Sequence, residues 1–186
     1  MRPRMPAIGL ATLVLPTALI FSCRSRAPDA ALLDEMDVVY ADTEATRFED
    51  AYERVRKVAE HEPLYGPAGV WYARLALRTG EYEVARNTLE TLLRSHPENI
   101  DVLHLLALLE QRNGNIETSL VGFDAAIERL ESHARVYLDR ARLYVEMGLF
   151  REARQDINRM RSLTSKAVLN SQADELTRFM ADEAEQ

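Results

Sequence analysis

The sequence predicts an all-α protein built as a stack of helical hairpins, and three observations carry that prediction. The first is a fixed period. Gly80, Gly114 and Gly148 lie 34 residues apart, Ala85, Ser119 and Ala153 keep the same spacing five residues later, and Pro63 and Pro97 repeat it. A period of this length marks an array of stacked supersecondary units. The second is helical periodicity inside each unit, as in Tyr82, Ala85, Leu89, Leu92 and Leu93. The third is an absence: no proline follows Pro97, and almost nothing there alternates as a strand would. A chain of 186 residues with 47% apolar and 28% charged residues suits one globular domain with a small appendage.

The first element is an address. Arg2 and Arg4 form a short positive start, no charge occurs from Met5 to Ser22, and the apolar run ends at Cys23, the only cysteine. This is the layout of a secretory signal peptide over residues 1–22. The stretch Leu19-Ile20-Phe21-Ser22-Cys23 resembles a bacterial lipobox. Ile20 and Ser22 match its aliphatic and small positions, and Phe21 departs from the usual small residue. The resemblance implies cleavage before Cys23, lipidation of its sulfur and acylation of the new amino terminus. Several acyl chains on one residue hold a membrane far more firmly than one. An uncleaved anchor is the competing reading, opposed by the shortness of the run and by Pro16. Residues 23–31 then form the lipidated start and a tether. Loss of Arg2 and Arg4 takes the formal charge from −7 to −9.

The repeated part spans residues 32–163. A weak first copy places Phe48, Ala51, Val55, Val58 and Pro63 one period before Tyr82, Ala85, Leu89, Leu92 and Pro97, with a first helix about Ala31–Ala41 and Thr46 where a turn glycine belongs. Three clear copies follow. In each, a first helix ends at a C-terminal glycine and a second begins two residues later. The small Ala73, Ala107 and Ala141 fall where helices approach closely, and Leu89, Phe123 and Ile157 fall between neighbours. Trp71, the lone tryptophan, reads as a packing residue more readily than as a ligand platform. Residues 164–186 read as a closing helix, with Ala167, Leu169, Ala173, Leu176, Phe179 and Met180 on its apolar side.

These residues resemble the tetratricopeptide repeat family, whose unit is a 34-residue helix–turn–helix. The family's small first-helix residue falls on Ala73, Ala107 and Ala141, its turn glycine on Gly80, Gly114 and Gly148, and its next aromatic or aliphatic residue on Tyr82, Ile116 and Phe150. Its small second-helix residue falls on Ala85, Ser119 and Ala153, and its large apolar residue on Leu89, Phe123 and Ile157. Its terminal proline is present at Pro97 but replaced by Glu131 and Ser165, so the sharpness of those two turns is not given by the pattern. The resemblance implies a right-handed α-solenoid with three clear repeats, one degenerate repeat and a C-terminal capping helix.

Little in the chain suggests catalysis. The acidic balance argues against a nucleic-acid footprint, and a single cysteine excludes an internal disulfide framework and a Cys-rich zinc site. His61, His96, His104 and His133 form no ligand cluster, so no metal is expected. No phosphate loop, nucleophile elbow or dinucleotide fingerprint occurs, so neither an enzyme nor a cofactor is expected. Glu110 and Arg140 occupy registers that are usually apolar. Either they pair between adjacent repeats or helix rotation exposes both.

The family's groove positions fall on Val70, Arg74, Leu77 and Arg78, on Asp101, His104, Leu108, Gln111 and Arg112, and on Arg135, Leu138, Arg142, Val145 and Glu146. Five arginines among aliphatic residues suit an acidic or C-terminal peptide segment, because guanidinium pairs bidentately with carboxylate. The bland alternative is that they solvate helix faces and pair with Asp101 and Glu146. No lysine or asparagine stands where the family's chaperone-binding carboxylate clamp has them. The expected function is a lipid-anchored scaffold in the bacterial cell envelope, facing the periplasm and binding a protein partner whose identity the sequence does not name. The alternative is an accessory transporter subunit that presents its groove to a solute-binding protein.

Overall fold

The structure is a computed structural model that describes residues 30–61 and 66–184. Cys23, the apolar run before it, the start of the tether and Pro63 lie outside the described residues. Nine helices make up the described part: α1 (Ala30–Glu44), α2 (Phe48–His61), α3 (Gly66–Thr79), α4 (Tyr82–Ser95), α5 (Ile100–Arg112), α6 (Ile116–Arg129), α7 (Ala134–Glu146), α8 (Phe150–Leu163) and α9 (Ala167–Ala184). The first helix thus runs to Glu44, three residues beyond the expected Ala41.

The turn inside each hairpin explains why the period is anchored on glycine. Gly80, Gly114 and Gly148 have φ of 87°, 78° and 73°, a left-handed conformation that glycine adopts without steric cost. Each turn closes by a backbone bond from the following residue to a carbonyl five residues back: Glu81 to Ala76, Asn115 to Glu110 and Leu149 to Tyr144. This is a Schellman closure, which satisfies carbonyls left free at the helix end. The degenerate repeat makes the same turn. Arg47 N–H bonds the Asp42 carbonyl at 2.9 Å, and Thr46 takes φ of 61° in place of the glycine. A β-branched residue in that region is strained.

Helices pair within hairpins (α1 with α2, α3 with α4, α5 with α6, α7 with α8), and each hairpin packs on the next. The first helices α3, α5, α7 and α9 also touch one another in succession, whereas the second helices α2, α4, α6 and α8 are spread apart. The array therefore bends toward its first helices, which form its inner face. The expected close-approach residues are buried: Ala73, Ala107 and Ala141 in the first helices, and Ala85, Ser119 and Ala153 in the second. Ser119 keeps its hydroxyl satisfied by donating to the Ala107 carbonyl at 2.7 Å. Leu89, Phe123 and Ile157 are fully enclosed between neighbouring hairpins. Trp71 packs edge-on to Tyr40, with ring centroids 5.0 Å apart, and belongs to the core of the first two hairpins.

Candidate functional site

The inner face is where α3, α5 and α7 present the groove candidates, and the structure divides them. Val70, His104 and Leu138 are buried. They share one register of the repeat, three residues before Ala73, Ala107 and Ala141, and so point toward the next first helix instead of into the groove. Their inclusion as groove-lining side chains is corrected by that geometry. Leu77 and Leu108 are half-buried against the core between α3, α4 and α5 and form an apolar floor. Arg74, Gln111, Arg135, Arg142 and Val145 are half-buried, and Arg78, Arg112 and Glu146 are exposed.

Most of these polar side chains are already engaged. Arg74 donates to Asp101 at 3.1 Å, and Gln111 donates to Glu146 at 2.7 Å. Arg142 donates to Asp139 at 2.6 Å and shares the Gln172 side-chain carbonyl with Arg135, each at 3.1 Å. The Arg78 guanidinium lies 4.0 Å from the Phe48 ring centroid, a cation–π contact. Arg112 has no polar partner among the described residues. Arg78 and Arg112 are therefore the groove arginines with no carboxylate partner on an exposed surface. Burial draws the Arg135 guanidinium below its ordinary value, and the charges of Arg142, Arg74 and Arg78 act in the same direction, against the pull of Asp139.

One element of the site escaped the sequence reading. Asp139 is buried in α7 and accepts from His104 Nε2 of α5 at 2.9 Å. Burial pushes its carboxyl upward, but the His104 hydrogen bond and the nearby charges of His104, Arg142 and Arg135 outweigh it, leaving the value below the usual carboxylate range. The His133 ring stands 5.7 Å from the His104 ring. Burial and then the charge of His104 hold His133 below the ordinary histidine value, against the pull of Asp101. The repeat shows what is unusual here. The residues one register along, in the same relation, are Met36 with Trp71, Val70 with Leu105, and Leu138 with Ala173. Each of those pairs belongs to a single apolar cluster. Only between α5 and α7 is this inter-repeat layer polar. The signal was present in the sequence as an acid and a histidine 35 residues apart, both at apolar registers.

Glu110 and Arg140 do bridge adjacent hairpins, though not to each other. Glu110 accepts from Arg86 of α4 at 3.0 Å and from Asn115 at 2.6 Å. Arg140 holds Asp156 of α8 at 2.7 and 2.8 Å and Asp124 of α6 at 2.5 Å. Among the described residues no group of three acidic, histidine or cysteine side chains is placed to hold a metal ion. No described helix is long and apolar enough to cross a membrane.

Residues 43–109 match the tetratricopeptide repeat family model. No curated protein matches the sequence. Among solved structures, a thermophilic tetratricopeptide repeat protein of Thermus thermophilus superposes with a TM-score of 0.71 at 19% identity, over 82% of this chain and 86% of its own. A tetratricopeptide repeat protein of Parabacteroides merdae gives 0.53 at 16% identity, over 85% and 68%. MamA of Desulfovibrio magneticus RS-1 gives 0.56 at 15% identity, over 71% and 75%. At these identities the likeness is one of fold. Residues 43–109 are thus similar to the tetratricopeptide repeat family, within an α-solenoid that shares the fold of solved tetratricopeptide repeat proteins.

Proposed function

We propose that this chain is a non-catalytic scaffold, lipid-anchored through Cys23 in a bacterial cell envelope with its array facing the periplasm, and that its inner face binds an acidic segment of a partner protein. The observation that carries the reading is the set of arginines over an apolar floor. Arg78 and Arg112 are exposed without a carboxylate partner, flanking the half-buried Leu77 and Leu108. Guanidinium groups in that setting pair with incoming carboxylates, while the leucines take the aliphatic part of the segment.

The same geometry chooses the variants. Arg142→Glu would set a second carboxylate against buried Asp139 and damage the array. Arg78→Glu with Arg112→Glu changes exposed positions instead. Affinity capture from detergent-solubilised envelope should hold a partner on the wild-type chain and lose it on the double variant, with unchanged circular dichroism. Equal capture by both refutes the inner face as the contact surface. For the anchor, Cys23→Ser should leave an unprocessed, unlipidated chain; normal maturation and membrane retention of that variant would refute lipidation.

A further inference from the structure

We infer that an open cleft at one edge of the array holds an anionic phospholipid, its phosphate against Arg135 and Lys166 and its acyl chain against the apolar side chains beside them. The choice of ligand rests on the membrane-anchored reading above. The cleft has a volume of about 660 Å³, a size typical of small-ligand sites, and lies between the turn before α7 and the turn before α9. Leu130, Leu163 and Val168 form its apolar wall, and Val168 is 65% exposed. Among the described residues no carboxylate lines it. Glu131, the acid of the first of these turns, faces Arg159 at 3.7 Å instead. On a chain of net charge −7 the cleft is a local excess of positive charge.

The repeat shows that this joint departs from its neighbour. One period earlier, between the turns before α5 and α7, Arg129 pairs with Glu98, and His133 lies 3.8 Å from Asp101. One period on, the same positions hold Leu163 with Ser132 and Ala167 with Arg135. The ion pairs that bridge the earlier joint are therefore missing here, an acid has become an arginine, and apolar side chains have replaced a cation. Arg135 is half-buried, yet its only hydrogen-bond partner among the described residues is the neutral Gln172 side chain, at 3.1 Å. A desolvated guanidinium with donors to spare pairs strongly with a phosphate. Position then selects the source of that phosphate. Hairpins with such short turns are antiparallel, so first helices start and second helices end along one edge. The start of α1 lies on that edge with the cleft. Six residues separate Cys23 from Ala30, a reach of at most about 25 Å, so an acylated Cys23 holds this edge beside the bilayer. A free phosphate would leave the apolar wall in water, whereas a phospholipid covers it with its chain.

Native mass spectrometry of the full chain, released from neutral detergent micelles, tests this, because one spectrum reports both acylation of Cys23 and bound lipid. The probes are phosphatidylglycerol, phosphatidylcholine, glycerol 3-phosphate and an acidic peptide amide. The wild type should retain one phosphatidylglycerol at least about tenfold more tightly than phosphatidylcholine, since two cations facing one net negative headgroup are worth that factor or more. Lys166→Glu and Val168→Glu, both exposed changes, and Arg135→Gln should each erase the preference, with circular dichroism confirming the fold. Equal retention of the two lipids by the wild type overturns the proposal, as does a preference that persists in all three variants. Glycerol 3-phosphate held as tightly as phosphatidylglycerol overturns the lipid and leaves an anion site. The peptide held in place of phosphatidylglycerol, and lost in Lys166→Glu, overturns the lipid in favour of a protein segment. An acylated chain without the preference refutes the cleft and leaves the anchor, whereas an unacylated chain that keeps the preference refutes the anchor and leaves the cleft.

Discussion

Two glycines inside helices receive opposite expectations from their surroundings. Gly122 lies in the middle of α6, and a β-carbon built there would stand 2.9 Å from Ala107 Cβ and 3.2 Å from Ala107 Cα. Gly69 lies in α3, and the nearest atoms to its β-carbon would be those of the Leu92 side chain, at 3.1 to 3.5 Å. Helix propensity alone favours alanine over glycine by about 0.8–1 kcal/mol in a helix interior. At Gly122 the obstruction includes backbone, so relief to an ordinary carbon–carbon separation moves α5 and α6 apart by roughly 0.7 Å. Overpacking of that kind costs about 1–3 kcal/mol. The same movement stretches the buried Ser119 bond to Ala107, worth about 1 kcal/mol more. Gly122→Ala should therefore lose about 1–3 kcal/mol net. At Gly69 a leucine end can rotate aside, and Gly69→Ala should be neutral or gain a few tenths of a kcal/mol. With a urea dependence near 2 kcal/mol per molar, the first variant lowers the unfolding midpoint by about 0.5–1.5 M. Urea titration followed by far-ultraviolet circular dichroism gives both values. A Gly122→Ala midpoint at or above wild type would refute the close-approach argument. Thr88 and Asp156 fill the same register in α4 and α8, so the result also reports how far hairpin spacing differs along the array.

The remaining predictions concern charge and strain. Asp139→Ala leaves His104 and Arg142 without their carboxylate and should cost roughly 3–5 kcal/mol. His104→Val with Asp139→Leu, which copies the Val70–Leu105 layer, should recover at least half of that in the same urea assay, and failure to recover would mean that the polar layer is needed for packing itself. Thr46→Gly should raise the thermal midpoint, because it removes a β-branched residue from φ of 61° at a saving of about 1 kcal/mol; an unchanged or lower midpoint would deny the strain. Stability should also fall as pH drops below about 6.5, because the unfolded histidine keeps that ordinary value, the folded His133 lies lower, and the unfolded chain therefore takes up the proton first. His133→Gln should flatten this slope in urea midpoints measured across that range. The Asp139 contribution has the other window: present above the unfolded carboxylate value near 4, it is lost only as pH falls below that.

The hairpins could be read from the chain because their determinants are local and repeated. A glycine that alone adopts a positive φ cheaply, a small residue at each close approach and a large one between neighbours recur at one spacing, so each copy corroborates the others. Thr46 shows that the turn survives loss of its glycine, which is why the degenerate first hairpin still forms. The site was less accessible for the opposite reason. Whether a first-helix residue faces the groove or the next helix depends on the rotation of that helix against its neighbour, and the family pattern placed Val70, His104 and Leu138 on the wrong side of that line. Asp139 and Gln172 matter through partners 35 and 30 residues away, His104 and Arg142, and no local pattern joins such pairs.

The single polar layer has a bearing on how this array can change. In a stack whose units touch only their neighbours, whole repeats are in principle interchangeable, and lengths change by loss or gain of a unit. Here one joint is keyed. Excision of one period around α6 would set His104 against Ala173, and excision of one around α4 would set Asp139 against Val70. Either splice buries a polar group without its partner from the adjacent repeat. The joints on both sides of that pair are apolar and accept substitution by size alone. The third and fourth hairpins are thus coupled by that pair, and removal or insertion of a repeat should cost less stability at the joints outside it than at this one.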